Sequence, residues 1–226
     1  MVGGMNRFPP PAAVIFDLDG TLVDTVPTRI TAWARALDEH GISAGAAQLG
    51  PLIGADGRMV ARRVAAEAGF DVDDAGAEAL DRRSGEIYSE LNSDPRPLPG
   101  VVEALAALTA RGITWAIATS SRPEQVATSV RALGLDHDPA IVDGSHVEHA
   151  KPAPDLLLRA TEELRVDAAA AWYVGDSTWD MEAAVAARML PIAVMAGAAV
   201  DRSVLEAAGA QLVLETLADL TRHLPT

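Results

Sequence analysis

Asp17 and Asp19 stand two residues apart, directly after the apolar run 12–16, within Asp17-Leu18-Asp19-Gly20-Thr21. Carboxylates so spaced repel unless a cation lies between or beside them. A hard cation with oxygen ligands, most simply Mg²⁺, meets that need. One acid is then free to attack as a nucleophile and the other to give and take a proton. Thr119-Ser120 ends the apolar run 113–118. Its hydroxyls precede a helix starting near Pro123, and a helix start favours an anion such as a phosphoryl group. Lys151, between Ala150 and Pro152, supplies an ammonium that can neutralise both a nucleophilic carboxylate and phosphoryl charge. Gly175-Asp176-Ser177-Thr178-Trp179-Asp180 follows the run 172–174. It sets two acids four residues apart, on one side of a first helical turn. Gly20 permits a tight turn, and Thr21 can bond loop backbone. Acids at helix starts and hydroxyls at N-caps also have ordinary structural uses. The order and joint placement of the four motifs therefore carry more weight than any one. Together they fit a divalent metal and a phosphoryl group held beside a carboxylate nucleophile.

The elements that must position these groups are legible as an alternation. Continuous apolar runs at 12–16, 113–118, 140–142, 172–174, 191–194 and 211–214 read as buried strands. Helical patterns lie between them at 101–110, 123–133, 154–164 and 179–189, with Pro at first turns and Gly at stops. This order predicts an α/β fold with a parallel sheet covered on both faces. Ligands in such sheets sit at the carboxyl ends of strands near a topological switch point, where all four motifs fall. Residues 27–94 break the alternation and read as helices only, at 27–40, 58–68 and 75–91. Turn residues bound this stretch, Asp24-Thr25 before and the Pro-rich 94–100 after. It reads as a helical insertion after the first strand, joined by two short linkers that make a natural hinge.

The chain has 226 residues, which suits one large domain or a core with a smaller insertion. With 49% hydrophobic residues it can build a substantial core. Its net charge of −14 argues against nucleic acid and anionic membrane surfaces as partners. The absence of cysteine excludes disulfides, thiolate nucleophiles and zinc–thiolate sites. No apolar run is long enough to span a membrane. Residues 1–11 carry one Arg and no apolar stretch, so they read as a loose leader and not a secretory signal. A cytoplasmic setting is the expectation.

On these residues the chain resembles the haloacid dehalogenase-like superfamily of phosphohydrolases, nearly end to end. The resemblance is carried by Asp17-Leu18-Asp19-Gly20-Thr21, Thr119-Ser120, Lys151-Pro152 and Gly175-Asp176-Ser177-Thr178-Trp179-Asp180. It implies a Rossmann-like doubly wound parallel sheet formed by residues 1–24 and 96–226, with an α-helical cap at 25–95. It also implies an aspartyl-phosphate on Asp17, Asp19 as general acid and base, and Mg²⁺ held by Asp17, Asp176 and the backbone carbonyl of Asp19. Thr119 would bind the phosphoryl group, aided by Gly20, Thr21 and Ser120. Lys151 would balance charge, and Asp180 would support. The implied partner is a small phosphorylated metabolite, with the chain a monomer or homodimer.

Members of this superfamily differ in chemistry. The dehalogenases lack the second Asp of the first motif, and Asp19 is present here. The sugar-phosphate mutases resemble the chain closely, including Leu52-Ile53-Gly54 to Arg58, but usually carry His at the position of Arg29. Phosphonate-cleaving relatives need a cap lysine, and residues 27–94 contain none. A phosphatase acting on phosphoglycolate or a sugar phosphate is the expectation. The mutase is the alternative, and a non-catalytic phosphate- or protein-binding module is a weaker one. Arg58, and secondly Arg29, are the residues expected to contact an anionic substrate group. Trp33 reads as cap core, and His146 and His149 as solvated loop residues.

Overall fold

The computed structural model describes residues 8–225. Six parallel strands, β1 (Ala13–Phe16), β2 (Thr114–Ala118), β3 (Ala140–Val142), β4 (Ala171–Gly175), β5 (Leu190–Val194) and β6 (Leu212–Leu214), form one sheet in the order β3-β2-β1-β4-β5-β6. The order reverses between β1 and β4, so these two strands flank the switch point. Their register pairs Phe16 with Val174, which sets Asp17 and Asp176 just beyond the same edge.

Side chains alternate across the sheet as the pleat requires. Val14, Phe16, Trp172 and Val174 enter the core on one face, with α5 (Val101–Ala110), α6 (Pro123–Ala132) and the short helical turn Leu217–Arg222. Ile15, Ala171 and Tyr173 enter the other, under α7 (Asp155–Leu164) and α8 (Thr178–Ala186). Burial on both faces explains why the strands read as unbroken apolar runs. A last short helix, α9 (Arg202–Ala207), precedes β6.

Between β1 and α5 lie only helices: α1 (Val26–Asp38), α2 (Ala46–Leu49), α3 (Gly57–Glu67) and α4 (Asp74–Leu91). They share an apolar cluster of their own, which includes Trp33, Leu37, Leu49, Val64 and Leu80. The chain leaves and rejoins the sheet through two adjacent strands of linker. Val23 bridges Pro97, the Asp24 amide donates to the Arg96 carbonyl, and the Leu98 amide donates to the Leu22 carbonyl.

Two findings depart from the sequence reading. The short helix α2 was not expected. Of the expected leader, residues 1–7 lie outside the described residues. Phe8, however, packs against the main core and Pro11 is buried, so this end of it is anchored.

Phe16 is fully buried on the central strand, edge-on to Trp115. Phe16→Ala is expected to cost about 3–5 kcal/mol, the usual range for emptying such a site. Val102, 61% exposed on α5, should tolerate Ala within about 0.5 kcal/mol. Urea unfolding midpoints of the two variants provide the check.

Candidate active site

The carboxyl ends of β1, β2 and β4 present Asp17, Thr119 and Asp176, and the loop after β3 brings in Lys151. All four are buried. Lys151 is the only lysine in the chain and is 0% exposed. Its ammonium donates to Asp17 Oδ1 and lies 2.8 Å from Asp180 Oδ1. Asp17, Asp176 and Asp180 each offer a carboxylate oxygen within 4.8 Å of the others.

Why the chain folds this way locally is visible at three points. Gly20 has φ +82°, and a Cβ there would fall 2.3 Å from Asp176 Oδ2, so glycine is required for turn and close approach alike. Thr21 differs from expectation: its hydroxyl donates to Asp176 Oδ1 (2.9 Å), not to loop backbone. Ser177 and Asp180 form a reciprocal cap at the start of α8, with Ser177 N and Oγ both donating to Asp180 Oδ2. Tyr173 donates to Asp180 Oδ1. Both oxygens of Asp180 are thus engaged, whereas Asp17 Oδ2 and Asp176 Oδ2 face no protein donor among the described residues.

Electrostatics follow from this crowding. Burial, then the neighbouring carboxylates, push Asp17 up to about 7 despite the opposing pull of Lys151. The same causes raise Asp176 well above the usual carboxylate range. Lys151 is held protonated by Asp17 and Asp180 against its own desolvation. Three buried carboxylates against one ammonium form an oxygen-donor set with surplus negative charge, and a divalent cation fits that set.

Asp19 stands apart from this cluster and is lowered, because the Arg29 guanidinium and several hydroxyls outweigh its burial. Oδ1 accepts from Thr25 (2.5 Å) and Tyr88 (3.0 Å), and Oδ2 from Arg29 (2.8 Å) and Ser121 (2.7 Å). Arg29 lies 3.5 Å over the Tyr88 ring and also donates to Gln125 (2.8 Å) and Ser121 (2.5 Å). Arg29 is therefore committed to Asp19, Ser121 and Gln125. The Ser120 hydroxyl donates to the Gly54 carbonyl, and the Ser121 amide donates to Thr119 Oγ1. The Asp56 amide donates to the Lys151 carbonyl, and the Trp179 indole to the Pro51 carbonyl. The 50–56 loop is thereby tied to the strand ends.

A cavity of about 520 Å³ opens between the helical segment and the strand ends, lined at its inner end by Asp17, Asp19 and Thr119. Arg58 and Arg29 both line it, but Arg58 pairs with Asp56 (3.2 Å). Trp33 is buried in the helical cluster as expected and also reaches the cavity. His146 accepts from the Asp143 amide within its own loop. Thr25, Tyr88, Ser121, Gln125 and Tyr173 were not singled out by sequence. Tyr88 carried only the signal of a helical core residue.

Residues 14–194 match the profile of the haloacid dehalogenase-like hydrolases. A probable phosphatase, IndB, from Dickeya dadantii is 34% identical over 217 residues, covering 92% of this chain and 90% of its own. A phosphoglycolate phosphatase from Rhodospirillum rubrum is 35% identical over 193 residues, covering 82% of this chain and 79% of its own. The crystal structure of a hydrolase from Pseudomonas syringae superposes with a TM-score of 0.87 at 33% identity, over 95% of this chain and 97% of that one. The chain belongs to the haloacid dehalogenase-like hydrolase family, as a phosphoric monoester hydrolase. Divalent-metal dependence is typical of such enzymes, and the buried aspartate cluster suits it. No helix among the described residues is long and apolar enough to cross a membrane.

Because Asp17 titrates near 7 when folded and near 3.8 when unfolded, the metal-free folded chain holds a proton between these pH values that the unfolded chain lacks. Stability is then expected to rise as pH falls from above 7 toward 4, and Asp176 shifts in the same sense. Adding a divalent cation should stabilise more above pH 7 than at pH 5. Melting temperatures across pH, with and without chelator, test this; a cation effect largest at low pH contradicts it.

Proposed function

We propose that this chain is a Mg²⁺-dependent phosphatase that hydrolyses a small phosphorylated metabolite through an aspartyl-phosphate on Asp17. The observation that carries the reading is the convergence of Asp17, Asp176 and Lys151 at the floor of a cavity that also presents Thr119. Asp17 and Asp176 would hold the cation through their unengaged oxygens, with the Asp19 carbonyl as a third ligand. When bound, the cation neutralises the carboxylates and the phosphoryl charge that approaches them.

An Asp17 oxygen attacks phosphorus, and the bond to the leaving oxygen breaks. Asp19 gives that oxygen a proton, then takes one from the water that hydrolyses the acyl phosphate, restoring Asp17. Lys151 favours the ionised form of Asp17, which a bound cation would favour further, and balances the transferred group, and the Thr119 hydroxyl binds a phosphoryl oxygen. Asp180 positions Lys151, and Thr21 orients Asp176. Gly20 and Ser120 act through backbone geometry and the tie to Gly54.

Residues 25–95 act as the cap over a core of 1–24 and 96–226, hinged at the paired linkers. Thr25, Arg29 and Tyr88, three of the four donors on Asp19, come from that cap, Thr25 at its very edge. Cap movement therefore changes what holds Asp19, and coupling of the acid to closure follows. Arg29, placed where the mutases usually carry His, is an ion-pair partner of Asp19 here, which supports hydrolysis over transfer between sugar positions.

Purified enzyme with Mg²⁺ is expected to release p-nitrophenol from its phosphate ester. Asp17→Asn should abolish this. Asp19→Asn should retain the fold by circular dichroism yet slow turnover on the order of 10²–10⁴-fold. Near-normal turnover in Asp19→Asn removes that residue from its assigned role.

A further inference from the structure

Helix α4 of the cap meets α6 of the core along a seam of polar groups. Glu78, Asp81, Gly85, Tyr88 and the C-cap Asn92 recur every three or four residues, so they share one face of α4. Opposite them stand Arg122, the N-cap of α6, then Gln125 and Ser129. Nη2 of Arg122 lies 2.8 Å from Glu78 and 2.6 Å from Asp81. At Gly85 there is no room for a side chain, because a Cβ would fall 2.1 Å from Gln125 Nε2. Asn92 donates to both Tyr88 Oη (2.9 Å) and Ser129 Oγ (3.0 Å). Parting such a seam exposes little apolar surface, and water can replace its hydrogen bonds. The cap keeps its own apolar cluster meanwhile.

Position along the seam decides what each contact can do. The linkers pair Val23 with Pro97 and Asp24 with Arg96, beside the Asn92 end of α4. Glu78 lies about 20 Å further along the helix, at roughly 1.5 Å per residue. A swing about the linkers therefore displaces the end that carries Glu78 and Asp81 most. Two sets of ion pairs join the cap helices to the core among the described residues: Arg29 with Asp19, and Arg122 with Glu78 and Asp81. Asp19 bridges Val23 at the linkers, so the Arg122 set acts with the longer lever. We propose that Arg122 is a positioning residue whose ion pairs latch α4 against α6 in the ligand-free chain and thereby keep the Tyr88 hydroxyl on Asp19. That contact measures 3.0 Å. The role of Asp19 as acid comes from the phosphatase reading; the latch does not depend on it. Arg122 is 35% exposed in its side chain, so salt weakens the latch. The ties of the 50–56 loop to the strand ends are hydrogen bonds without an ion pair, and salt leaves them in place.

The chain has no cysteine, so Ala66→Cys on α3 and Val102→Cys on α5, both exposed positions, accept spin labels at two defined points. Distances between the labels in ligand-free protein at low salt are expected to form one narrow population. Arg122→Gln, or about 1 M salt, should raise the fraction at longer distance about fivefold. Glu78→Gln/Asp81→Asn should do the same from the cap side. Arg122→Lys keeps the charge and should stay near the parent. With Mg²⁺, Arg122→Gln is expected to lower kcat/KM for phenyl phosphate at least about threefold more than for p-nitrophenyl phosphate, because a more basic leaving oxygen relies more on a proton from Asp19. The proposal is overturned by distances that neither Arg122→Gln nor the double cap variant moves, by a parent chain mostly open without ligand, or by Arg122→Lys behaving as Arg122→Gln does. Moved distances with an unmoved ester ratio overturn the positioning of Asp19. If the parent chain hydrolyses neither ester, the phosphatase reading falls, and the distances alone still decide for or against the latch.

Discussion

Three buried carboxylates share one ammonium at the edge of the sheet, and the rest of the structure is arranged around that imbalance. Desolvation makes each negative charge costly. The fold answers locally where it can: Asp180 is saturated by Ser177, Tyr173 and Lys151. Asp17 and Asp176 are left short of donors, with Lys151 and Thr21 as their partners. A cluster with more carboxylates than ammonium groups is chemically suited to a divalent cation.

The sheet is what holds these groups at fixed separations. Asp17 and Asp176 extend paired neighbouring strands at the switch point, and Thr119 extends the strand on the other side of β1. None of them depends on a long loop for its position. Asp19, three residues beyond the strand, is instead shared between the sheet and the helical segment. Its donor Ser121 lies on the sheet-bearing part, Thr25 lies at the start of α1, and Arg29 and Tyr88 lie on α1 and α4. The group assigned to move protons is thus the one whose surroundings change if the two parts shift.

Much of this was legible because burial writes itself into sequence. Six short apolar runs marked six strands, and three of the four motifs were recognisable as polar residues where a run stops, with Lys151 in the loop after a fourth. The four-residue α2 is too short to show a helical period, which is why it went unread. The partners of Asp19 were illegible for another reason. Tyr88 and Ser121 meet it across 69 and 102 residues, and no local pattern encodes such a meeting. Tyr88 reads as one more apolar residue of an amphipathic helix. Arg58 is an intermediate case: its ion pair is with Asp56, only two residues away, yet the sequence reading assigned it to substrate and passed over that neighbour.

A chain of 226 residues with seventeen arginines and a single lysine has an uncommon chemical profile. Its one ε-amine is sealed inside the site and clasped by two acids. Acylating reagents and lysine-directed enzymes therefore find no side chain to modify on the folded surface. The same reagents, applied as the protein loosens, would tag this position alone among the side chains. The molecule thereby carries a built-in reporter of its own integrity, located where integrity matters most.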